Sequence, residues 1–392
     1  MRTYKLKELL SIKNGKDHKE LKNGAIPIFG SGGIMRFGDK AIYNDESILL
    51  PRKGTLSNIQ YVNKPFWTVD TIYYTIVNKG LANPFYLYNF IKSLDLSKLN
   101  TGTGVPSMTF DSYYNLDIIL PELEVQHKIA SVLSALNSKI ELNNRINAEL
   151  EAMAKTIYDY WFVQFDFPDK NGMPYKSSGG KMVWNEELKR EIPEGWEVES
   201  IEKCCSIIDC LHSKKSDLIF EEEQYYLLQL ENIKDDGLID LTNKYFVTKD
   251  EYKKWTTRIE VIDGDILITN AGRVAATAQI PKGIKAGIGR NITAIRPLSI
   301  NPTYLFLSFG GIDIQSQIKL NTDSGAFFTS FNVKGIKKLQ ILRPNSKIEE
   351  RFEELALPLR RKRELNIKEN QKLTELRDWL LPMLMNGQVK VT

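Results

Sequence analysis

The sequence predicts an α+β protein built as a pseudo-twofold tandem repeat, with two β-rich α/β domains separated by two long antiparallel coiled-coil helices. Three observations predict it. Short motifs recur in the same order about 218 to 223 residues apart. Each copy opens with β-branched and aromatic runs punctuated by Gly, Asn and Pro. Each copy then closes on a long stretch with apolar residues at three–four spacing.

The repeat rests on four motif pairs in register. Ile48-Leu49-Leu50-Pro51-Arg52-Lys53-Gly54-Thr55 matches Ile266-Leu267-Ile268-Thr269-Asn270-Ala271-Gly272-Arg273, an apolar strand running into a polar Gly turn. Asn83-Pro84-Phe85-Tyr86 matches Asn301-Pro302-Thr303-Tyr304, where Asn is the helix N-cap and Pro the first helical residue. Gly104 to Phe110, with Ser107 and Thr109, matches Gly325 to Phe331, with Thr329 and Ser330. Ile118-Ile119-Leu120-Pro121 matches Ile341-Leu342-Arg343-Pro344.

These pairs divide the chain into a first domain at 1–120, a long helix at 121–165, a linker at 166–193, a second domain at 194–343 and a second long helix at 344–388. The linker reading rests on Pro168, Asn171-Gly172, Pro174 and Ser177-Ser178-Gly179-Gly180. In the first long helix, Ile129, Val132, Leu136, Ile146, Leu150, Met153, Ile157 and Tyr160 fall on one stripe, interrupted by Lys139 and Asn143. In the second, Phe352, Leu355, Leu359, Leu373, Leu376, Leu380 and Met383 do the same, interrupted by Lys362, Asn366 and Glu369. The bland reading is two amphipathic helices, each packed on its own domain. Asn143 and Asn366 stand at equivalent places, which favours helices that meet, since a buried Asn in a seam fixes register.

Composition sets broad limits. The 392 residues are 42% hydrophobic and 26% charged, the balance of folded protein with more than one core. Lys5, Lys7 and Glu8 interrupt any signal-peptide core in the first ten residues, and no stretch nears the roughly 20 apolar residues of a membrane span. The expectation is a cytoplasmic protein with no membrane partner. Cys204, Cys205 and Cys210 cluster too tightly and in too odd a number for a disulfide framework. With His212 nearby they admit a zinc reading, but the spacing fits no standard ligand set, and buried reduced thiols are favoured. The net charge of +4 decides little. Its distribution says more: Lys203 to Asp263 is acidic, while Gly264 to Arg343 holds ten basic residues against three acidic ones. Such a half suits a nucleic-acid surface or an ordinary solvated face.

The signatures of catalysis are missing. There is no phosphate-binding Gly-x4-Gly-Lys-Ser/Thr loop. Phe29-Gly30-Ser31-Gly32-Gly33 reads as a turn, because no helix pattern follows it promptly. Asn83-Pro84-Phe85-Tyr86 approaches an amino-methyltransferase motif but lacks its second Pro. Glu251-Tyr252-Lys253 is too short to mark a nuclease. His18, His127 and His212 sit in no recognisable triad order. The chain is therefore expected to be no enzyme, with no catalytic residue, no metal and no cofactor of its own.

What remains fits reading DNA. Arg52 and Lys53 precede Gly54 after a strand, and Arg273 follows Gly272 at nearly the same place in the second repeat. Gly admits a close backbone approach, and Arg can contact a phosphate or a guanine edge. Arg290 and Asn291 offer a guanine reader beside an adenine reader. Ser107 and Thr329 sit in polar loops of the kind that wrap a duplex. The competing reading of each is an ordinary turn.

Here the chain resembles the specificity subunits of type I restriction–modification enzymes. Ile118-Ile119-Leu120-Pro121-Glu122-Leu123-Glu124-Val125-Gln126-His127-Lys128-Ile129-Ala130 resembles that family's Leu-Pro-Pro-Leu-x-Glu-Gln-x-x-Ile-Ala, departing at Glu122 and Val125. Trp161-Phe162-Val163-Gln164-Phe165 resembles its Trp-Phe-Val-Asp-Phe, and Leu380-Leu381-Pro382-Met383-Leu384-Met385-Asn386-Gly387 its C-terminal Leu-Leu-Pro-x-Leu-Met-x-Gly. No Glu-Gln pair is visible at Ser346 to Glu350. The resemblance implies two target-recognition domains, each reading half of a bipartite double-stranded DNA target. It implies two methyltransferase subunits docked on the helices, methylating adenine N6 with S-adenosylmethionine. It also implies motor-nuclease subunits for restriction, with ATP and Mg²⁺ confined to partners. The alternative is a coiled-coil scaffold or a DNA-binding regulator unconnected with a methyltransferase.

Two further expectations follow. About 40 helical residues at 1.5 Å give a rod of about 60 Å, so helix length sets the gap between half-sites. Tyr158, Trp161 and Phe162, with Trp379, Leu380 and Met383, form two equivalent apolar ends that either dock partners or pack on the adjacent domain.

Overall fold

The structure is a computed structural model that describes residues 1–96, 106–211, 215–220, 224–324, 329–389 and 391. It falls into two compact units, Met1–Leu142 with Lys372–Thr392, and Asn143–Gln371.

In the first unit, β1 (Arg2–Lys5) pairs antiparallel with β9 (Asp117–Leu120). A four-stranded sheet has the order β2 (Leu10–Asn14), β8 (Ile72–Val77), β5 (Ser47–Pro51), β6 (Gln60–Val62). A three-stranded sheet has the order β4 (Gly33–Gly38), β3 (Ile26–Gly30), β7 (Trp67–Thr68), with β3 and β7 parallel. Helices α1 (Leu6–Leu9), α2 (Pro84–Ser93) and α3 (Phe110–Tyr114) cover these sheets, and α4 (Leu123–Tyr158) leaves the unit. The core gathers Ile48, Leu50, Tyr86, Leu87, Ile118, Ile129 and Leu133 with Leu384 and Met385.

The second unit repeats this topology strand for strand. β12 (Glu197–Ser200) pairs with β22 (Gln340–Arg343) as β1 does with β9. The four-stranded order is β13 (Cys205–Asp209), β19 (Ile292–Pro297), β16 (Ile266–Thr269), β17 (Thr277–Gln279). The three-stranded order is β15 (Tyr245–Phe246), β14 (Tyr226–Leu228), β18 (Gly287–Ile288), with β14 and β18 parallel. Its helices are α5 (Ile201–Cys204), α6 (Lys249–Trp255), α7 (Pro302–Phe309), α8 (Ile312–Asn321), α9 (Val333–Lys337) and α10 (Ser346–Met385). Among the described residues, the additions are the hairpin β10 (Met182–Asn185) with β11 (Arg190–Pro193), the short pair β20 (Asp323–Ser324) with β21 (Thr329–Ser330), and helices α6 and α8. The fold is thus an α+β tandem repeat with two long helices.

The structure shifts one of the four motif matches. Ser107 bridges Lys53 as Ser330 bridges Ala271. Thr109 caps α3 through Ser112 N, and Asn332 caps α9 through Gly335 N. Ser107 therefore corresponds to Ser330, and Thr329 to Pro106. Backbone pairing, invisible in a short polar loop, sets that register.

The long helices were expected at 121–165 and 344–388. The first ends in a π-helical turn at Asp159–Val163, followed by Phe165 at φ 65°. Segment 166–193 is a folded element rather than a free linker. Phe167 stacks on Tyr175 at 4.7 Å and on Trp196 at 4.9 Å, while Asp166 accepts from Ser177 N and Oγ. Its Gly and Pro are turn residues of a structure in which Phe167 is buried and Tyr175 half-buried, while Trp184 is exposed.

The helices do meet, running antiparallel, but on a stripe rotated from the expected one. In the first unit Arg377 donates to Asn137 Oδ1 at 3.2 Å. In the second unit the middle of the seam is an amide network. Asn143 Nδ2 donates to Asn370 Oδ1 at 2.9 Å and Glu369 Oε2 at 2.8 Å, and Asn366 Nδ2 donates to Asn147 Oδ1 at 2.9 Å. Asn143 and Asn366 are each 1% exposed, whereas Met153 is 52% and Leu355 49% exposed. The buried stripe runs through Ala130, Leu133, Asn143 and Asn147, so several residues of the expected seam lie on its outer edge.

Candidate nucleic-acid interface

One edge of each unit is assembled from two turns and a returning strand. In the first unit, the turn after β5 holds Arg52, Lys53 and Gly54, with Gly54 at φ 91°, a conformation only Gly adopts freely. Arg52 N donates to Thr71 O at 3.0 Å, and Met108 N returns to Arg52 O at 3.0 Å. Gly54 N reaches Pro106 O at 2.9 Å. Arg52 Nη1 meets Asp70 O at 3.3 Å, its guanidinium 6.0 Å from the Tyr73 ring centroid. The Lys53 side chain is exposed. The structure therefore brings together Arg52, Lys53, Gly54 and Ser107.

The second unit repeats the wiring. Asn270 N donates to Asn291 O at 2.8 Å, and Phe331 N to Asn270 O at 2.9 Å. Asn270 Oδ1 also accepts from Thr293 Oγ1, and its Nδ2 donates to Phe331 O. This edge collects Gly272, Arg273, Arg290, Asn291 and the backbone of Thr329 and Ser330.

The two arginines here differ sharply. Arg273 Nη1 binds Asp235 Oδ1 at 2.6 Å, and its Nη2 donates to the carbonyls of Leu230 and Ile233. Its fork holds down the loop after β14. Arg290 is exposed and, among the described residues, makes no hydrogen bond or ion pair. Other basic residues of the 264–343 segment serve the fold: Arg296 binds Asp265 at 2.6 Å, and Arg343 binds Glu199. The basic balance of that segment is therefore only partly a surface property.

Several residues on these edges escaped the sequence reading. The turn at Gly30–Gly33 is a β3–β4 hairpin tip, as its glycines suggested, and it lies beside Gly54. Asn58 Nδ2 donates to Ser31 O at 2.6 Å, and Ser31 N approaches Thr71 Oγ1 at 3.4 Å. Asp70 occupies the place of Arg290. Only comparison of the two wired turns exposes that relation, since Asp-Thr and Arg-Asn share no sequence signal.

The same comparison resolves the missing Glu-Gln pair at Ser346 to Glu350. In the first unit Gln126, 1% exposed, accepts from Asn83 N at 2.9 Å and donates to Pro121 O at 2.9 Å and Leu81 O at 3.2 Å. In the second, Glu349 takes that place, accepting from Asn301 N through Oε1, with Arg343 3.7 Å from Oε2. Burial raises the Glu349 carboxyl above its ordinary range, opposed by the Asn301 N–H and the Arg343 charge. Asn83 caps α2 through Tyr86 N as expected, but the Asn301 side chain makes no cap bond to α7.

Of the expected partner-binding residues, three are core. Tyr158, Trp161 and Phe162 are 9%, 5% and 2% exposed, and Phe162 packs on Tyr304 at 4.6 Å and on Phe352 at 4.9 Å. Trp161 and Phe162 lie in the π-helical turn and Tyr158 just before it, and all three pack on the adjacent domain and form no exposed cluster. By the repeat register their counterparts are Leu381, Leu384 and Met385, not Trp379. Leu380 and Met383 are half-buried, and Trp379 is 57% exposed. The six expected residues are therefore not equivalent pairs, whereas the register counterparts Leu384 and Met385 are buried like Trp161 and Phe162.

Cys204, Cys205 and Cys210 are all buried free thiols. Burial pushes the Cys210 thiol up, and the Cys204 thiol together with burial pushes Cys205 up. His212 lies outside the described residues, and those residues hold no cluster of three or more metal-ligating side chains. No helix among them is long and apolar enough to cross a membrane.

Residues 1–152 match the family described as type I restriction modification DNA specificity domain. The chain is 23% identical over 359 residues to the type I restriction enzyme MjaIX specificity subunit of Methanocaldococcus jannaschii, covering 89% of this chain and 79% of that one. It is 24% identical over 381 residues to the HindI specificity subunit of Haemophilus influenzae, covering 80% and 79%. The fold matches the crystal structure of the type I restriction–modification S subunit from M. genitalium with a TM-score of 0.62 at 16% identity, over 98% of this chain and 95% of that one. Residues 1–152 thus carry the type I restriction–modification DNA specificity domain, and over most of its length the chain is similar to the specificity subunits of type I restriction–modification systems.

Proposed function

We propose that each unit reads one half of a bipartite double-stranded DNA target and that the chain directs adenine-N6 methylation or restriction by partner subunits. The observation that carries this reading is the duplicated edge. Two copies of one fold each pin a strand-end turn against a second turn through matching bonds, from Arg52 N to Thr71 O and from Asn270 N to Asn291 O. Both leave polar or charged side chains pointing outward. A rigid, repeated platform with changed side chains is what reading two different half-sites requires.

Catalysis belongs to the partners in this reading. Two methyltransferase subunits per chain hold S-adenosylmethionine, and motor-nuclease subunits hold ATP and Mg²⁺. No catalytic residue, metal or cofactor is assigned to this chain, and its place is the cytoplasm with the DNA. Incubating the pure chain with DNA and either Mg²⁺ or S-adenosylmethionine is expected to give neither cleavage nor methyl transfer. Adding the methyltransferase subunits is expected to give methylation at one split sequence. Methyl transfer or cleavage by the chain alone overturns the non-catalytic assignment. Sequence-independent binding, with no methylation in the presence of partners, favours a scaffold or an independent DNA-binding regulator instead.

A further inference from the structure

The turn before the long strand β8 and its counterpart before β19 are fixed by the same two bonds. Val69 N donates to Phe29 O at 3.0 Å, as Gly289 N donates to Leu228 O at 2.7 Å. Thr71 O accepts from Arg52 N at 3.0 Å, as Asn291 O accepts from Asn270 N at 2.8 Å. The residue held between these bonds is Asp70 in the first unit and Arg290 in the second, and both are exposed. One scaffold position thus carries opposite charges in the two copies.

The surroundings of Arg290 are prepared for a ligand. The second domain has five arginines at 194–343. Arg258, Arg273, Arg296 and Arg343 all bond within the fold, while Arg290, among the described residues, bonds to nothing. It borders a recess of about 310 Å³ whose walls include Gln229, Glu231, Tyr245, Trp255 and Asn291. Gly289 keeps the recess open, since a Cβ there would come within 2.3 Å of Gln229 Oε1 and displace that amide. Asn291, at φ 60°, completes the tight turn.

We infer that this turn is the base-selecting position of each unit, with Arg290 reading a guanine in one half-site and Asp70 reading an amino-bearing base, cytosine or adenine, in the other. The inference rests on the DNA-reading function proposed above and assigns letters to it. Guanine presents two acceptors, O6 and N7, in the major groove, and a guanidinium donates to both at once. Asp70 can only accept, so it suits the amino group of cytosine N4 or adenine N6. Two observations favour bases over phosphate. A phosphate contact shared by both copies could not be Asp in one of them, because like charges repel. The recess beside Arg290 carries Lys215 and Glu231 together, so its wall charges offset each other towards phosphate, while the Gln229 and Asn291 amides match the mixed donors and acceptors of base edges.

The test uses the complex of the full chain with its methyltransferase subunits, and duplexes selected from a random-sequence DNA library. The wild-type complex is expected to select a split sequence with an invariant G in one half. Arg290→Gln should relax that G alone, narrowing its preference between about 5-fold and about 150-fold, and leave the other half-site intact. Asp70→Ala should relax one C or A in the opposite half. Replacing the selected G by 7-deazaguanine, which lacks the N7 acceptor, should weaken the wild type but leave Arg290→Gln unchanged. An unchanged melting temperature for both variants excludes unfolding as the cause. If Arg290→Gln weakens all sequences alike, Arg290 is a phosphate contact and this inference falls while the DNA-reading function stands. If both variants relax the same half, the assignment of one turn per half-site is wrong. If the wild-type complex selects no sequence, the DNA-reading function fails, and this inference with it.

Discussion

Asn143 donates to Asn370 across the paired helices at 2.9 Å, and the repeat-equivalent residues make the same bond, from Asn366 to Asn147 at 2.9 Å. The repeat thus extends into the seam itself. Buried amides discriminate between registers because a slipped pairing leaves them unpaired in an apolar surround. Asn143→Ala removes one bond from each of Asn370 and Glu369 and leaves a gap at a buried position. It is expected to lower stability by about 1–3 kcal/mol, measured by denaturant unfolding. The double variant Asn147→Leu, Asn366→Leu replaces both partners of one bond. It is expected to unfold with a smaller loss, or a gain, and to show helix slippage in crosslinking across the seam.

If the helices measure the gap in the target, their length controls it. A seven-residue insertion beside Asn143 and another beside Asn366 keep the apolar stripe in phase and add about 10 Å of helix. The non-specific gap in the methylated target is expected to grow by about three base pairs. Sequencing of methylated sites checks this, and an unchanged gap would defeat the ruler.

Trp161 and Trp379 should behave oppositely, given their different burial. Trp161→Ala empties a packed site and is expected to destabilise the protein by about 3–5 kcal/mol. Trp379→Ala should stay within about 0.5 kcal/mol of the wild type. It should nonetheless weaken assembly with methyltransferase subunits, read as a loss of one partner in the mass of the complex. Full assembly of the Trp379→Ala variant would remove that face from the docking surface.

Glu349 gives a pH test. Its folded pKa is raised from the ordinary 4.5. The fold therefore favours the protonated form, and stability present below that ordinary value is lost as pH rises through the folded one. Glu349→Gln keeps an acceptor for Asn301 N, as Gln126 does for Asn83 N, without the buried charge. The variant is expected to melt higher than the wild type at pH 7, with the difference vanishing near pH 4. A lower melting temperature at pH 7 would mean that Arg343 depends on the Glu349 charge.

Lys53 and Arg273 separate contact from support. Lys53→Ala should weaken binding to all duplexes and reduce the slope of log affinity against log salt by about 0.9, the change for one lost phosphate contact. Arg273→Ala frees the carbonyls of Leu230 and Ile233 and should lower the melting temperature while leaving the Lys53-type salt slope intact. An unaltered slope with Lys53→Ala would place that side chain off the DNA.

The sequence by itself determined the tandem repeat, the element types, the cap at Asn83 and the meeting of two long helices. Those signals are local, because apolar spacing, N-cap chemistry and Gly or Pro punctuation act within a few residues, and duplication repeats them in order. Which way a given side chain faces was decided only by tertiary structure. Arg273 and Arg290 both sit in Gly turns, yet carbonyls and a carboxylate about forty residues earlier occupy the first, while the second makes no bond among the described residues. Trp161 looks like Trp379 in sequence, but the π-helical turn buries the first while the helix leaves the second outside. Glu349 does not resemble Gln126, yet both accept the backbone N–H of the Asn that precedes a helix. Burial and hydrogen-bond partners arise from residues distant in the chain, and spacing along the chain carries no record of them.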